Sequence, residues 1–334
     1  MGRYIIRRLL QAIPQLFIIS IVIFALLYTT VDPIAAMTGD RGKPRPETRK
    51  RLERKYGLDQ PWFVQYVYWL VGNDWLKVDL DFDGVPETPG PRKGVLRGDF
   101  GLSVKGPRPA LEPIAEALPN TLLLMGTAEA VILGFSLLIG IYSALRQYSL
   151  FDHLVTAFSF IGYSMPIFFI ALFSLYVFSV LLRLLPSPAR PLRTTEDFAL
   201  ALILPVVSIS FSSLAGYSRY VRSSMLEVLH QDYIRTARSK GLPRPMITFV
   251  HALKNASLPL VTLVGLDLPM LLGGAVVTET IFAWPGMGQL FIKSLGEDPA
   301  VVMAILMLIA VAVVIFQLLT DLTYAWLDPR IRYH

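Results

Sequence analysis

Residues 232–259 read Asp-Tyr-Ile-Arg-Thr-Ala-Arg-Ser-Lys-Gly-Leu-Pro-Arg-Pro-Met-Ile-Thr-Phe-Val-His-Ala-Leu-Lys-Asn-Ala-Ser-Leu-Pro. This polar, basic stretch lies between two long apolar runs. Local chemistry divides it in two. Asp232 is placed to cap a short helix ending at Gly241, with Arg238 and Lys240 at the negative end of its dipole. Pro243 forbids continuation, and Pro245 suits the first position of a second helix. Ala237 leaves one face of the first helix small enough for a partner to approach closely. Ordered polar helices between apolar runs offer a surface to be gripped.

The rest of the chain is far more apolar. Of its 334 residues, 54% are hydrophobic and the mean hydropathy is +0.52, too high for an ordinary soluble domain. Six runs, at roughly 9–31, 119–145, 153–182, 199–221, 258–282 and 300–326, approach or exceed the ~20 residues a helix needs to cross a bilayer. The expected fold is an all-α integral membrane protein with six transmembrane helices. The formal charge of +6 and the pI of 9.4 invite a nucleic-acid reading. That reading is set aside because the positive residues border the apolar runs, as membrane topology requires. The chain has no Cys, hence no disulfide, thiolate metal site or Cys nucleophile.

Charge placement orients the spans. Arg3, Arg7 and Arg8 put the N-terminus in the cytoplasm. The run after them is too long for a signal peptide and has no Ala-x-Ala site behind it, so residues 1–31 read as a cytoplasmic N-terminus and a retained first span. Arg146, then Arg235, Arg238, Lys240, Arg244 and Lys254, then Arg330 and Arg332 fall on the same side if there are six spans. Residues 32–118 form an expected extracytoplasmic subdomain, with helices near 46–56 and 60–73. Its Arg49-Lys50-Arg51 and Arg54-Lys55 do not oppose this, since long loops translocate largely regardless of charge. Residues 119–326 form a five-helix core containing the cytoplasmic loop 223–257, and 327–334 a cytoplasmic tail.

The 232–259 segment resembles the coupling loop of the membrane subunits of ABC importers. There the pattern runs Glu-Ala-Ala, three residues, Gly, nine residues, Ile, one residue, Leu-Pro. Gly241 sets the register, which puts Arg235-Thr236-Ala237 at the Glu-Ala-Ala place. His251 replaces the Ile, Leu253 matches, and Lys254 replaces the Pro. The form Arg-Thr-Ala-Arg-x-Lys-Gly-Leu followed by His-Ala-Leu-Lys-Asn-Ala-x-x-Pro resembles the dipeptide/oligopeptide/nickel branch. Further stretches resemble that branch in order: Tyr56-Gly57-Leu58-Asp59-Gln60-Pro61, Arg97-Gly98-Asp99-Phe100-Gly101-Leu102-Ser103, Pro119-Asn120-Thr121-Leu122, Glu279 through Gly288, and Leu327-Asp328-Pro329-Arg330-Ile331-Arg332-Tyr333. An insertion near 74–93 departs from it.

The resemblance implies a prokaryotic inner-membrane permease subunit for peptides, the first of a pair and the one with the long outer loop. It implies a second homologous permease, two cytoplasmic ATPases carrying ATP and Mg, and an extracytoplasmic solute-binding protein. Arg235, Thr236, Ala237 and Gly241 would couple to the ATPase. Nickel chelates or oligosaccharides are alternative solutes. An ATP-independent channel or secondary carrier is the rival class, and it leaves the 232–259 loop unexplained.

The residues themselves favour transport over catalysis. There is no Gly-x-x-x-x-Gly-Lys-Ser/Thr loop to cradle ATP. The four histidines lack ligand spacing. Gly162-Tyr163-Ser164-Met165-Pro166 ends in Pro where a nucleophile elbow needs Gly, and Pro166 reads as a kink in span three. Glu129 and Asp267 lie near the middles of spans two and five, where a bare charge is costly. With Ser208 and Ser212, one turn apart in span four, they are candidates for a polar translocation path, the alternative being packed structural carboxyls. Glu279, Trp284, Pro285 and Gly286, where span five ends, read as an outer gate or, more simply, an aromatic anchor at headgroup depth. Asp79, Asp81, Asp83 and Glu87 follow the start of a calcium loop. Gly90 stands where the bidentate Glu would be, so a solvated acidic turn competes with a calcium site completed by Asp99.

Overall fold

A computed structural model of the chain describes residues 2–30, 32, 34, 45–79, 86–106, 108–188 and 194–327. It divides into two compact units. One contains residues 2–118 and 290–312; the other contains 119–289 and the chain from 313 onward.

In the first unit, α1 (Gly2–Thr30) shows apolar side chains such as Leu10, Ile13 and Ile18 to the outside along much of its length. A helix this apolar and this exposed is suited to lipid. Helix α2 (Pro46–Tyr56) starts on a proline and stops at Gly57, whose φ of +68° is the left-handed conformation that ends helices. Helix α3 (Trp62–Val71) follows Pro61. Both helices lie where the sequence places them. A two-residue hairpin, β1 (Lys77–Val78) with β2 (Thr88–Pro89), follows. Ile23, Phe24, Tyr66, Trp69, Met303 and Met307 form this unit's core.

In the second unit, α7 (Thr195–Leu229) is the hub. It packs on α5 (Leu150–Ser164), α6 (Ile167–Leu175) and α10 (Leu258–Ile281). A reciprocal pair of bonds between Thr194 and Asp197 fixes its start. Helix α4 (Leu111–Leu145) adds Leu124, Ala128 and Ile132 to the same core as Val206, Ile209 and Val221 of α7. Helices α8 (Asp232–Ser239), α9 (Arg244–Ala256), α11 (Met287–Ser294) and α12 (Pro299–Leu327) are the remaining described α-helices.

Among the described residues, four helices are long and apolar enough to cross a membrane. The number rises to six only if each of two bent pairs is one span. The first pair breaks at Met165–Pro166 with a bend of 101°. Proline carries no N–H and pushes its predecessor out of the helical region, and Met165 is extended at φ −86°, ψ 126°. The kink expected at Pro166 is therefore a full break. The second pair bends by 50° between Arg244–Ala256 and Leu260–Pro269.

Candidate functional sites

The basic segment comes first. Gln231, not Asp232, holds the cap position of α8, and its side chain makes no capping bond. Asp232 sits one place inside, still at the positive end of the dipole. The other end follows the sequence closely. The Gly241 N–H donates to the Arg238 carbonyl at 3.0 Å and the Leu242 N–H to the Ala237 carbonyl at 3.4 Å. This is the paired closure of a helix that needs a left-handed residue, and Gly241 has φ +74°. Ala237 is turned the other way from the expectation. With Ile234, three residues earlier, it is buried in the core of its own unit, 7% exposed. Arg235, Thr236, Arg238, Ser239 and Lys240 form the outward face. Small size at 237 thus serves seating of the helix, and the free surface is cationic. Pro245 falls at the second position of α9, which begins at Arg244.

The residues Glu279, Trp284, Pro285 and Gly286 fold into a closed knot with the start of span two. Glu279, at the end of α10, is fully buried. Its carboxylate accepts from Thr121 Oγ1 at 2.7 Å, from the Gly288 N–H at 2.6 Å and from the Gln289 N–H at 3.1 Å. The two N–H groups belong to the first turn of α11, where a negative charge is favoured. Thr121 also accepts from the Met287 N–H at 2.7 Å. Asn120 donates to the Pro285 carbonyl at 2.8 Å, and its own carbonyl accepts from Trp284 Nε1 at 3.0 Å. Trp284 is 1% exposed and meets the Phe198 ring at 4.5 Å between centroids. It is packed within the protein and is not presented outward as an anchor. A Cβ on Gly286 would run into the Glu279 carboxyl, and one on Gly288 would lie 2.5 Å from the Val276 Cα. Glycine at both positions lets the turn close on the acid.

The acids of spans two and five come together. Glu129 on α4 is 6% exposed, and the charge that acts on it is that of Asp267 on α10. Tyr217 of α7, which the sequence reading did not single out, lies within electrostatic reach of both acids. Neither Glu129 carboxylate oxygen nor the Tyr217 hydroxyl closes a hydrogen bond. An intramembrane tyrosine carries no charge to attract notice in a sequence, so only the fold reveals it. The Ser208 hydroxyl donates to the Leu204 carbonyl at 2.8 Å and shares a 3.1 Å bond with Ser174 of α6. Ser212 is half-buried one turn on.

A second network escaped the sequence reading. Asp152, 2% exposed, receives Arg222 in a two-pronged contact, Nε to Oδ1 at 2.6 Å and Nη2 to Oδ2 at 2.7 Å. Ser143 and the Tyr148 N–H donate to the same carboxylate. The turn joining α4 to α5 is thereby fastened to α7.

In the other unit, Asp79 lies 3.4 Å from Arg54, and Glu87 is exposed. Asp81 and Asp83 lie outside the described residues, among which no group of three or more acids or histidines is placed to hold a metal. Asp99 is committed to backbone, accepting from the Lys93 N–H at 2.8 Å and the Gly101 N–H at 2.9 Å. Asp74 takes a two-pronged contact from Arg97, at 2.6 and 2.8 Å, which holds its carboxyl below the usual range.

Membrane-length helices, a broken span, an acid cluster among them and an outward basic helix held to the core define an all-α membrane permease. Residues 136–333 match the family described as binding-protein-dependent transport system inner membrane component, and residues 1–125 match its N-terminal membrane-component family. The chain belongs to this family and is a multi-pass inner-membrane protein. It is 41% identical to the oligopeptide transport system permease protein AppB of Bacillus subtilis, with both chains covered in full. It is 35% identical to the dipeptide transport system permease protein DppB of Escherichia coli K12, covering 100% of this chain and 99% of that one. Among solved structures, an inward-facing MetNI methionine ABC transporter chain matches with a TM-score of 0.53 at 16% identity, over 64% of this chain and 96% of that one. At that identity the likeness speaks for the fold.

Proposed function

We propose that this chain is one of two paired membrane subunits of an ATP-driven importer of short peptides. It lines half of the solute path and receives the power stroke of a cytoplasmic ATPase through α8. The names of the full-length relatives support the solute class. The observation that carries the mechanism is the division of α8 into an inward Ile234–Ala237 face and an outward Arg235–Arg238–Lys240 face. A helix seated this way moves as one body with the core it grips. Force applied by a partner to the cationic face then passes through Ile234 and Ala237 to α9, and from α9 to α7 and α10. The chain contributes no catalytic residue; ATP and Mg belong to the partner ATPases. A solute-binding protein delivers peptide on the opposite side, and Glu129, Asp267 and Tyr217 border the route. Both termini are cytoplasmic in this arrangement.

The test is the reconstituted transporter carrying Arg235→Glu, Arg238→Glu and Lys240→Glu together. Uptake and ATPase capture are expected to fall while the thermal unfolding of the subunit is unchanged, because all three side chains are exposed. Ala237→Glu is expected to lower both, since it puts a charge into the core. Normal uptake and capture with the triple reversal would reduce α8 to a basic surface loop. Uptake of nickel chelate without peptide uptake would correct the solute alone.

A further inference from the structure

The unit that contains the first span has a cavity of about 310 Å³ with apolar walls from Phe24, Trp69, Phe100 and Met303. Phe24 lies in the last turns of α1, and Met303 in the first turns of α12. Both helices are candidate spans, so the cavity sits where two spans leave the membrane. Its rim is cationic. Lys55 and Arg92 line it, each 5.8 Å from the centre of the same Tyr56 ring. The acid in the lining, Asp99, has one oxygen bonded to the Lys93 N–H and the other to the Gly101 N–H. Among the described residues no carboxylate comes within ion-pair distance of Lys55 or Arg92. Burial works against the Arg92 charge, which a bound anion would restore. Trp69 is 4% exposed, and its indole N–H has no acceptor.

We propose that this cavity binds one anionic phospholipid, its phosphate between Lys55 and Arg92 and an acyl chain against Phe24, Trp69, Phe100 and Met303. The apolar walls favour a lipid over a free phosphate, and two cations outside ion-pair distance of any described carboxylate favour an anionic headgroup over a zwitterionic one. A lipid held there would add to the core that Phe24 at the end of α1 and Met303 at the start of α12 already share. Basic side chains near a surface attract anionic lipid, and aromatic rings favour that depth.

Native mass spectrometry of the intact, delipidated transporter tests this, titrated with phosphatidylglycerol or with phosphatidylcholine of identical chains. One phosphatidylglycerol per copy of this chain is expected to be retained in preference. Lys55→Gln with Arg92→Gln is expected to weaken it by roughly 30-fold, the contribution of two basic side chains at a membrane surface. Excess inorganic phosphate is expected to leave the lipid in place. Equal retention of the two lipids, or undiminished phosphatidylglycerol in the double variant, overturns the proposal. Displacement by inorganic phosphate reassigns the cations to a soluble anion, and displacement by a dipeptide reassigns the cavity to solute; either also overturns it. Should the double variant fail to assemble, Lys55→Gln alone, at an exposed position, gives the same reading with a smaller shift.

Discussion

Two glutamates in the same unit are both buried, and only one is bonded. Glu279 is enclosed by Thr121 and by two N–H groups of the α11 N-terminus. Glu129 faces Tyr217 and Asp267, and no donor reaches either of its oxygens. Taking a carboxylate out of water is costly unless hydrogen bonds replace the lost solvation. At Glu279 they do, so the acid holds a turn closed. At Glu129 they do not, and the fold carries an unmatched polar group next to a second acid. Charged residues in membrane spans that lack structural partners mark pathways for solutes or ions. Burial alone would have ranked the two glutamates alike; their partners separate a fastener from a group kept available.

The largest expected effect tests the fastener. Glu279→Ala takes the acceptor from Thr121 and the Gly288 N–H, each buried donor costing ~1–3 kcal/mol. A fall in thermal unfolding temperature of the purified subunit, or failure to assemble, is expected. An unfolding temperature equal to wild type would erase the distinction between the two acids. Gly288→Ala comes next. Its Cβ would press on the Val276 backbone, and overpacking of this kind costs ~1–3 kcal/mol. Gly286→Ala is expected to do no less, because the Glu279 carboxyl it meets is buried and cannot shift without giving up its bonds to Thr121, Gly288 and Gln289.

How much of this could be read in the sequence follows from the kind of signal each feature sends. Gly241 and the prolines fix local backbone geometry, so the end of α8, the start of α2 and the position of the bend at Pro166, though not its size, were legible. The acids Glu129 and Asp267 stood out because a charge in an apolar run is conspicuous. Which face of α8 turned inward was not legible, since Ala237 suits a tight internal seat as well as an external partner. Tyr217, Asp152 and Arg222 were missed for different reasons. Tyr217 is one aromatic among many, and the other two lie 70 residues apart near span ends where charges are ordinary. The role of Glu279 as a helix cap required the chain to double back through Trp284, Pro285 and Gly286, which spacing alone does not reveal.

The available acid makes the opposite prediction from the fastener. Glu129→Gln replaces a carboxyl that nothing in the fold pairs by an amide of the same shape, so stability is expected to stay within ~1 kcal/mol of wild type. Peptide uptake by the reconstituted transporter is expected to fall by about tenfold or more, equivalent to ~1.4 kcal/mol. Tyr217→Phe should follow the same pattern more weakly, as it deletes a hydroxyl already without a partner. A large loss of unfolding temperature in Glu129→Gln with normal uptake per folded complex would make Glu129 a second fastener.

The smallest effect comes from a third acid that serves as a solvent-screened reference. Asp74 is held by Arg97 in the other unit, at the surface, with both side chains a third or more exposed. Arg97 lowers the Asp74 carboxyl below its ordinary value, so the folded state binds that proton less readily than the unfolded chain. The stabilisation is therefore present above the unfolded value near ~3.9 and is lost as pH falls through the lower folded value. Asp74→Asn should unfold slightly earlier than wild type at neutral pH, and the gap should close as the solution is acidified below about pH 4. Added salt should narrow the same gap, because exposed pairs are screened. A gap that persisted in acid and in high salt would mean that Asp74 acts through packing, and that an exposed ion pair here resembles Glu279 more than its surroundings allow.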